Sequence, residues 1–163
     1  MLLIGAAGSG KSTFARKHFK STEIVSSDAL RAAVADDEGD QSASSDAFQL
    51  LRLIASKRLG RGRLTVIDAT NVQRVARKGL LALAKRNGAP VVAIVLNLPL
   101  AICLARNASR PDRRVSPEVV EKQIGDLIAS LPKLAEEGFH EVYLIDKTVD
   151  IDLAGVFRAP HNM

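Results

Sequence analysis

Residues 5–12 read Gly-Ala-Ala-Gly-Ser-Gly-Lys-Ser, set between the apolar run Met1–Ile4 and the stretch Thr13–Phe19. They match G-x-x-x-x-G-K-[ST] in the strand–loop–helix context that gives this pattern its physical meaning. Small residues let backbone N–H groups close around phosphate oxygens, and the helix N-terminus adds its partial positive charge. A chain carrying such a P-loop must bury the strand before it and start a helix directly after it. Lys11 is then expected on the β/γ-phosphates of a nucleoside triphosphate, and the Ser12 hydroxyl on Mg²⁺. Gly8, Ser9, Gly10 and Thr13 complete the expected NTP-binding positions.

The rest of the chain alternates between strand and helix patterns. Strands are expected at residues 1–4, 23–26, 64–68, 90–97 and 141–145. Residues 90–97 are apolar without a break, as in a strand buried on both faces. Helices are expected at 11–19, from Asp28 with a cap near Ser27, at 45–59, 73–87, 99–107, 117–134 and 149–157. This order implies a five-stranded parallel sheet with helices on both faces and a helical lid at about 106–118. At 163 residues it reads as a single P-loop domain. Ligands of such a sheet gather at the carboxyl ends of the strands. Gly5, Ser27, Asp28, Asp68 and Asn97, which follow strands, should therefore face one crevice.

Composition narrows the function. Trp is absent and Tyr143 is the only tyrosine, which argues against a surface of stacked aromatics. Cys103 is alone, so neither a disulfide nor a cysteine metal site can form within one chain. His18, His140 and His161 lack partners at ligand spacing. No secretory signal and no run long enough to span a bilayer is visible, so no membrane partner is expected and the cytoplasm is the expected location. The net charge of +5 is unevenly spread. Residues 52–114 hold 14 Lys/Arg against 2 Asp/Glu, a net of +12 between flanks of −2 and −5. Either a polyanionic partner or a nucleotide-gripping lid with solvated helix faces accounts for this. The acidic loop Asp36–Asp40 is expected to be solvated surface, with Gln41 available to a base or sugar.

A P-loop binds nucleotide without naming the reaction. A kinase also needs a group that takes the acceptor's proton. Asp28, after the second strand, is the candidate; an ordinary helix-start aspartate is the alternative. Arg31, one turn on, either orients Asp28 or grips an acceptor phosphate. Asp68 ends the third strand and is expected at the active site, on Mg²⁺ or on the acceptor. Arg106, Arg110, Arg113 and Arg114 fall in or beside the link between two helices. In a kinase that link is a natural lid whose arginines neutralise developing charge; a solvated loop is the alternative.

Together the segments GAAGSGKSTF (5–14), IVSSD (24–28), Arg31, Ser44/Ser45, LTVIDATNV (64–72), VAIVLNLP (92–99), Arg106-Asn107, RPDR (110–113) and Glu137-Gly138-Phe139 resemble the kinase module of bacterial polynucleotide kinase-phosphatase. The resemblance covers nearly the whole chain in order. It implies transfer of the γ-phosphate of ATP or another NTP to a 5′-OH end of RNA or DNA, in nucleic-acid repair. It assigns Asp28 as general base, Lys11 and Ser12 to phosphates and Mg²⁺, and Arg31 to the acceptor side, where Asp68 is also expected from its place at the strand end. Arg106 and Arg110 fall on the NTP in the lid, Arg106 as a catalytic residue, with Arg113 a weaker match. That family continues into phosphatase and ligase-like modules that 163 residues cannot encode. The chain is thus expected to be an excised part of a larger end-healing enzyme or a stand-alone relative. Two rivals remain open: a metabolite kinase of the same fold, and an NTP-binding module that recognises nucleic acid without chemistry.

Overall fold

The computed structural model describes residues 1–111 and 114–157, so Arg113 and His161 lie outside the described residues. Strands β1 (Leu2–Ile4), β2 (Ile24–Ser26), β3 (Val66–Asp68), β4 (Val92–Leu96) and β5 (Glu141–Ile145) form one sheet in the order β2-β3-β1-β4-β5. Every pairing is parallel, with Leu3 opposite Asp68 on one side and Ile94 on the other. Helices α1 (Lys11–His18), α2 (Ser27–Ala35), α3 (Ser44–Leu59), α4 (Arg74–Arg86), α5 (Leu100–Ala108), α6 (Pro117–Ser130) and α7 (Thr148–Leu153) connect and cover it. The expected parallel five-stranded sheet is the observed one.

The alternation of side chains along β1 divides the core. Leu2 and Ile4 face one layer, where Leu51 of α3 and Leu80 and Leu83 of α4 pack. Leu3 faces the other, with Phe14 of α1, Cys103 of α5 and Ile151 of α7. Helix α6 serves both, giving Leu127 to the first and Val120 and Ile124 to the second. Strand β5 differs from the other four. Like β2 it is an edge strand, but its Val142, Tyr143 and Leu144 are all exposed.

Several boundaries differ from expectation for local reasons. The cap of α2 is Ser26, whose Oγ accepts from the Ala29 N–H, and Ser27 sits buried in the first turn. Helix α6 stops at Ser130 and tightens into a 3₁₀ turn over Leu131–Glu137. Pro132 has no N–H to continue the α-helical ladder. Helix α7 ends at Leu153 rather than 157, where Ala154 turns extended. Among the described residues no helix is long and apolar enough to cross a membrane.

One buried ionic network holds the loop after β3. Arg77 on α4 is 0% exposed. Its Nη1 donates to the carbonyls of Asn71 (2.7 Å) and Val72 (2.8 Å). Its Nε and Nη2 donate to the two carboxylate oxygens of Glu137 at 2.8 and 2.6 Å. Asn71 takes a left-handed backbone (φ 48°), and its side chain donates to Leu3 O of β1 at 2.9 Å. Gly5 N–H then donates to Thr70 O at 2.9 Å. The P-loop and the loop that follows Asp68 are thereby tied together. Removing one member of a buried pair strands the other charge. Glu137→Ala should therefore lower unfolding free energy by about 3–5 kcal/mol in urea titrations, and Arg77→Met with Glu137→Leu together should recover part of the loss.

Candidate active site

The turn from β1 into α1 is shaped by what lies above it. Gly8 takes φ 81°, and a Cβ there would run into the Cys103 carbonyl of α5. Gly10, at φ 97°, is the residue from which α1 starts. The first amides of α1 have no carbonyl one turn back, and no acidic residue occupies its first turn. This end of the helix therefore presents N–H groups and partial positive charge outward.

At the carboxyl rim of the sheet lies a cleft of about 450 Å³. Ala7, Lys11 and Ser12 of the P-loop, Ser27, Asp28 and Arg31 of α2, and Asp68 at the end of β3 line it. An adjoining recess is lined by Gly10, Ser12, Thr13, Arg16 and Arg110. Of the residues expected in this crevice from topology, Ser27, Asp28 and Asp68 line it, whereas Gly5 is buried behind it with its carbonyl on Lys11 Nζ. Asn97 does not line it; its backbone N–H extends the β4–β5 ladder onto Ile145 O. Gly8 and Ser9 also stand behind the cleft wall. Ser9 is fully buried, and its N–H turns onto Ala6 O at 3.2 Å.

Lys11 is buried, and its Nζ donates to Gly5 O and Ala6 O at 2.9 and 2.8 Å. Burial pulls its pKa down to about 8, while Asp68 and then Asp28 favour the charged form and Arg110 disfavours it. Asp28 is held through Oδ1 by the Arg31 guanidinium. Arg31 also donates from Nε to Glu38 O at 2.7 Å. Glu38 and Gly39 of the acidic loop, with Gln41, form a wall of the cleft, while Asp36 and Asp37 stay exposed as expected.

The arginines divide. Helix α5 ends at Ala108, so Arg110 leaves the helical face of Arg106 and stands in a turn, its N–H on Asn107 O. Arg110 and Arg114 line the cleft, with the Arg114 Nε on Arg110 O at 2.6 Å. Arg106 is exposed and lies beside Gly10, 3.4 Å from where a Cβ on that glycine would stand. Two positioning contacts escaped the sequence. Gln123 of α6 accepts the Ala7 N–H at 2.8 Å. Asn107 pairs both ways with the Val115 backbone, closing the base of the α5–α6 link.

The donor set suits Mg²⁺. Ser12 and Asp68 offer hard oxygen ligands on one cleft, and Mg²⁺ shared with phosphates needs only one or two carboxylates. Among the described residues no group of three or more His, Cys, Asp or Glu is placed to hold a metal by itself.

Residues 1–134 match the AAA_33 family, whose description is an AAA domain. The chain belongs to the AAA_33 family. It is 30% identical to the Arabidopsis thaliana transcription factor bHLH140, over 94% of this chain but only 16% of that protein. Solved structures share the fold of this AAA_33 domain. The AvrRxo1-ORF1:-ORF2 complex with ATP superposes at TM-score 0.66 and 18% identity, over 91% of this chain and 54% of that one. A sugar kinase from Janibacter sp. HTCC2649 gives 0.58 and 19%, over 89% and 83%. Deoxyadenosine kinase from M. mycoides with bound dATP gives 0.51 and 12%, over 93% of each. The AAA_33 chain thus has a P-loop kinase-like fold.

The lowered pKa of Lys11 makes triphosphate binding pH-dependent. Below about 7 the ammonium is present; above about 8 a proton must be taken up on binding. ATP affinity should be flat from pH 6 to 7 and then weaken by up to about tenfold per pH unit above 8. In calorimetric titrations Lys11→Met should bind weakly and lack this fall.

Proposed function

We propose that this chain is a phosphotransferase that moves the γ-phosphate of ATP or another NTP to a 5′-hydroxyl end of RNA or DNA. One observation carries the proposal: Lys11 and Ser12 share a single cleft with Asp28 and Asp68. Triphosphate binding by itself does not call for a second carboxylate, Asp28, beside the one that would serve Mg²⁺. A site that transfers phosphate needs one to receive the proton of the attacking hydroxyl.

In this mechanism the 5′-oxygen approaches the γ-phosphorus in line with the β,γ-bridging oxygen. The bond from the acceptor oxygen to phosphorus forms as the bridging bond breaks, and NDP leaves. Asp28 takes the hydroxyl proton. Arg31, which grips Oδ1 of Asp28, aims the carboxylate and stops it from swinging away. Lys11 and the first amides of α1 spread the charge on the phosphates. Ser12 and Asp68 would hold Mg²⁺, which would supply positive charge against that of the phosphates. Residues 106–118 act as a lid within a single kinase domain, with Arg106 and Arg110 on the donor phosphates.

The acceptor class is supported by the resemblance to polynucleotide kinase and by the net +12 of residues 52–114. A metabolite kinase is the second proposal, favoured by the small volume of the cleft and the likeness to a sugar kinase. Incubation with labelled ATP and a 5′-OH oligonucleotide separates them. Label should reach the oligonucleotide, with a KM that rises steeply with salt. Transfer only to small hydroxyl compounds, with no salt slope, would overturn the polynucleotide assignment. Asp28→Ala should slow transfer by about 10²–10⁴-fold while ATP affinity stays within about twofold. A near wild-type rate would remove Asp28 from the mechanism.

A further inference from the structure

A second concavity runs along α4, outside the cleft. Its volume is about 1250 Å³. Arg74, Lys78, Leu81 and Lys85 line it from α4, and Pro90, Phe139 and His140 from the opposite wall. On a helix, positions 74, 78, 81 and 85 share one face. That face spans about 16 Å, the rise of roughly 3–5 stacked nucleotides.

Its charge is one-sided. Arg74, Lys78 and Lys85 are exposed, and none makes an ion pair or side-chain hydrogen bond among the described residues. The one carboxylate on the lining, Glu137, is neutralised by buried Arg77. Apolar surface lies between the cations: Val75 is 73% exposed, and Leu81 and Phe139 are half-buried. The positive field also extends past the groove. The ends of α3 and α4 meet where Gly60 faces Asn87, which gathers Lys57, Arg61, Arg63 and Arg86 at the same pole. Cations near a helix C-terminus gain from the helix dipole. That accounts for Lys57, Lys85 and Arg86, but not for Arg74 at the N-terminus of α4, where a cation is disfavoured, nor for Lys78 in its middle.

We propose that this groove binds single-stranded nucleic acid, its cations on backbone phosphates and its apolar floor against bases. A regular polyanion fits a field this broad; an acidic peptide would cover only the groove. The groove also starts beside the cleft. Thr70 lines the cleft and Arg74 opens the groove, with only residues 71–73 between them. Asp126, which lies near that junction, is paired with Lys122. A strand whose 5′ end enters the cleft can thus continue along α4. Binding stands by itself; the link to the acceptor strand rests on the function proposed above.

The test is the full chain carrying Lys78→Glu with Lys85→Glu, and separately Lys78→Gln with Lys85→Gln. Urea midpoints matching the unaltered chain establish that each variant folds. Fluorescence anisotropy of a labelled 12-nucleotide strand from 50 to 300 mM KCl, without ATP, reads the groove directly. The Glu pair should weaken binding about tenfold, and both pairs should reduce the salt slope by about 1.4, from two lost phosphate contacts. Unchanged affinity and slope in both pairs would overturn the proposal. So would tight binding of a poly-glutamate peptide that these lysines control, where strand binding does not depend on them. Lysine-dependent strand binding by a chain that transfers no phosphate would keep the groove and reject the kinase. Transfer unaffected by either lysine pair, with strand affinity also unaffected, would do the reverse.

Discussion

The close approach of the P-loop to α5 is the contact on which the cleft depends. The loop must curl tightly enough for its N–H groups to converge, and its backbone must pass under the Cys103 carbonyl to do so. No residue with a β-carbon fits at position 8. Once that turn is made, α1 starts at Lys11, and Lys11 is carried over the carbonyls of Gly5 and Ala6. The burial that fixes the ammonium also weakens its hold on its proton, and Asp68 and Asp28 offset this. The acidic groups of the cleft therefore have an electrostatic part in keeping the phosphate grip charged.

Features set by backbone demands or strand-end position were legible in the sequence. Glycines at 5, 8 and 10 followed by Lys11 leave few alternatives to a phosphate cradle, and the β-α alternation places Asp28 and Asp68 at one rim. Asn97 obeyed the same topological rule yet misses the cleft, because a position after a strand fixes the rim and not the direction along it. Gln123, Asn107 and the Arg77–Glu137 pair were not legible as contacts. Their partners stand 116, 8 and 60 residues away, and a polar residue in a helix pattern carries no mark of which distant backbone it will meet. The acidic loop was legible only in part, with Asp36 and Asp37 in solvent but Glu38 on the cleft. Its charge suggested solvent, but what places it on the cleft is a backbone carbonyl, Glu38 O, bound by Arg31.

The basic middle of the chain separates in space. Arg110 and Arg114 come to the cleft, while the cations of α3 and α4 gather elsewhere. A single charge sum therefore described two surfaces with different chemistry. Arg77 belongs to neither: it is an internal strut, and counting it toward an external field overstates that field.

The bridge from Ala7 to Gln123 has a consequence for synthesis. Ala7 precedes Gln123 by 116 residues, so a nascent chain exposes the P-loop long before the partner of that amide exists. Cys103 and Asn71, which shape and anchor the same turn, also come much later. Non-local closures of this kind form late and slowly. If triphosphate binds only the completed cleft, it would stabilise the finished domain and not its fragments.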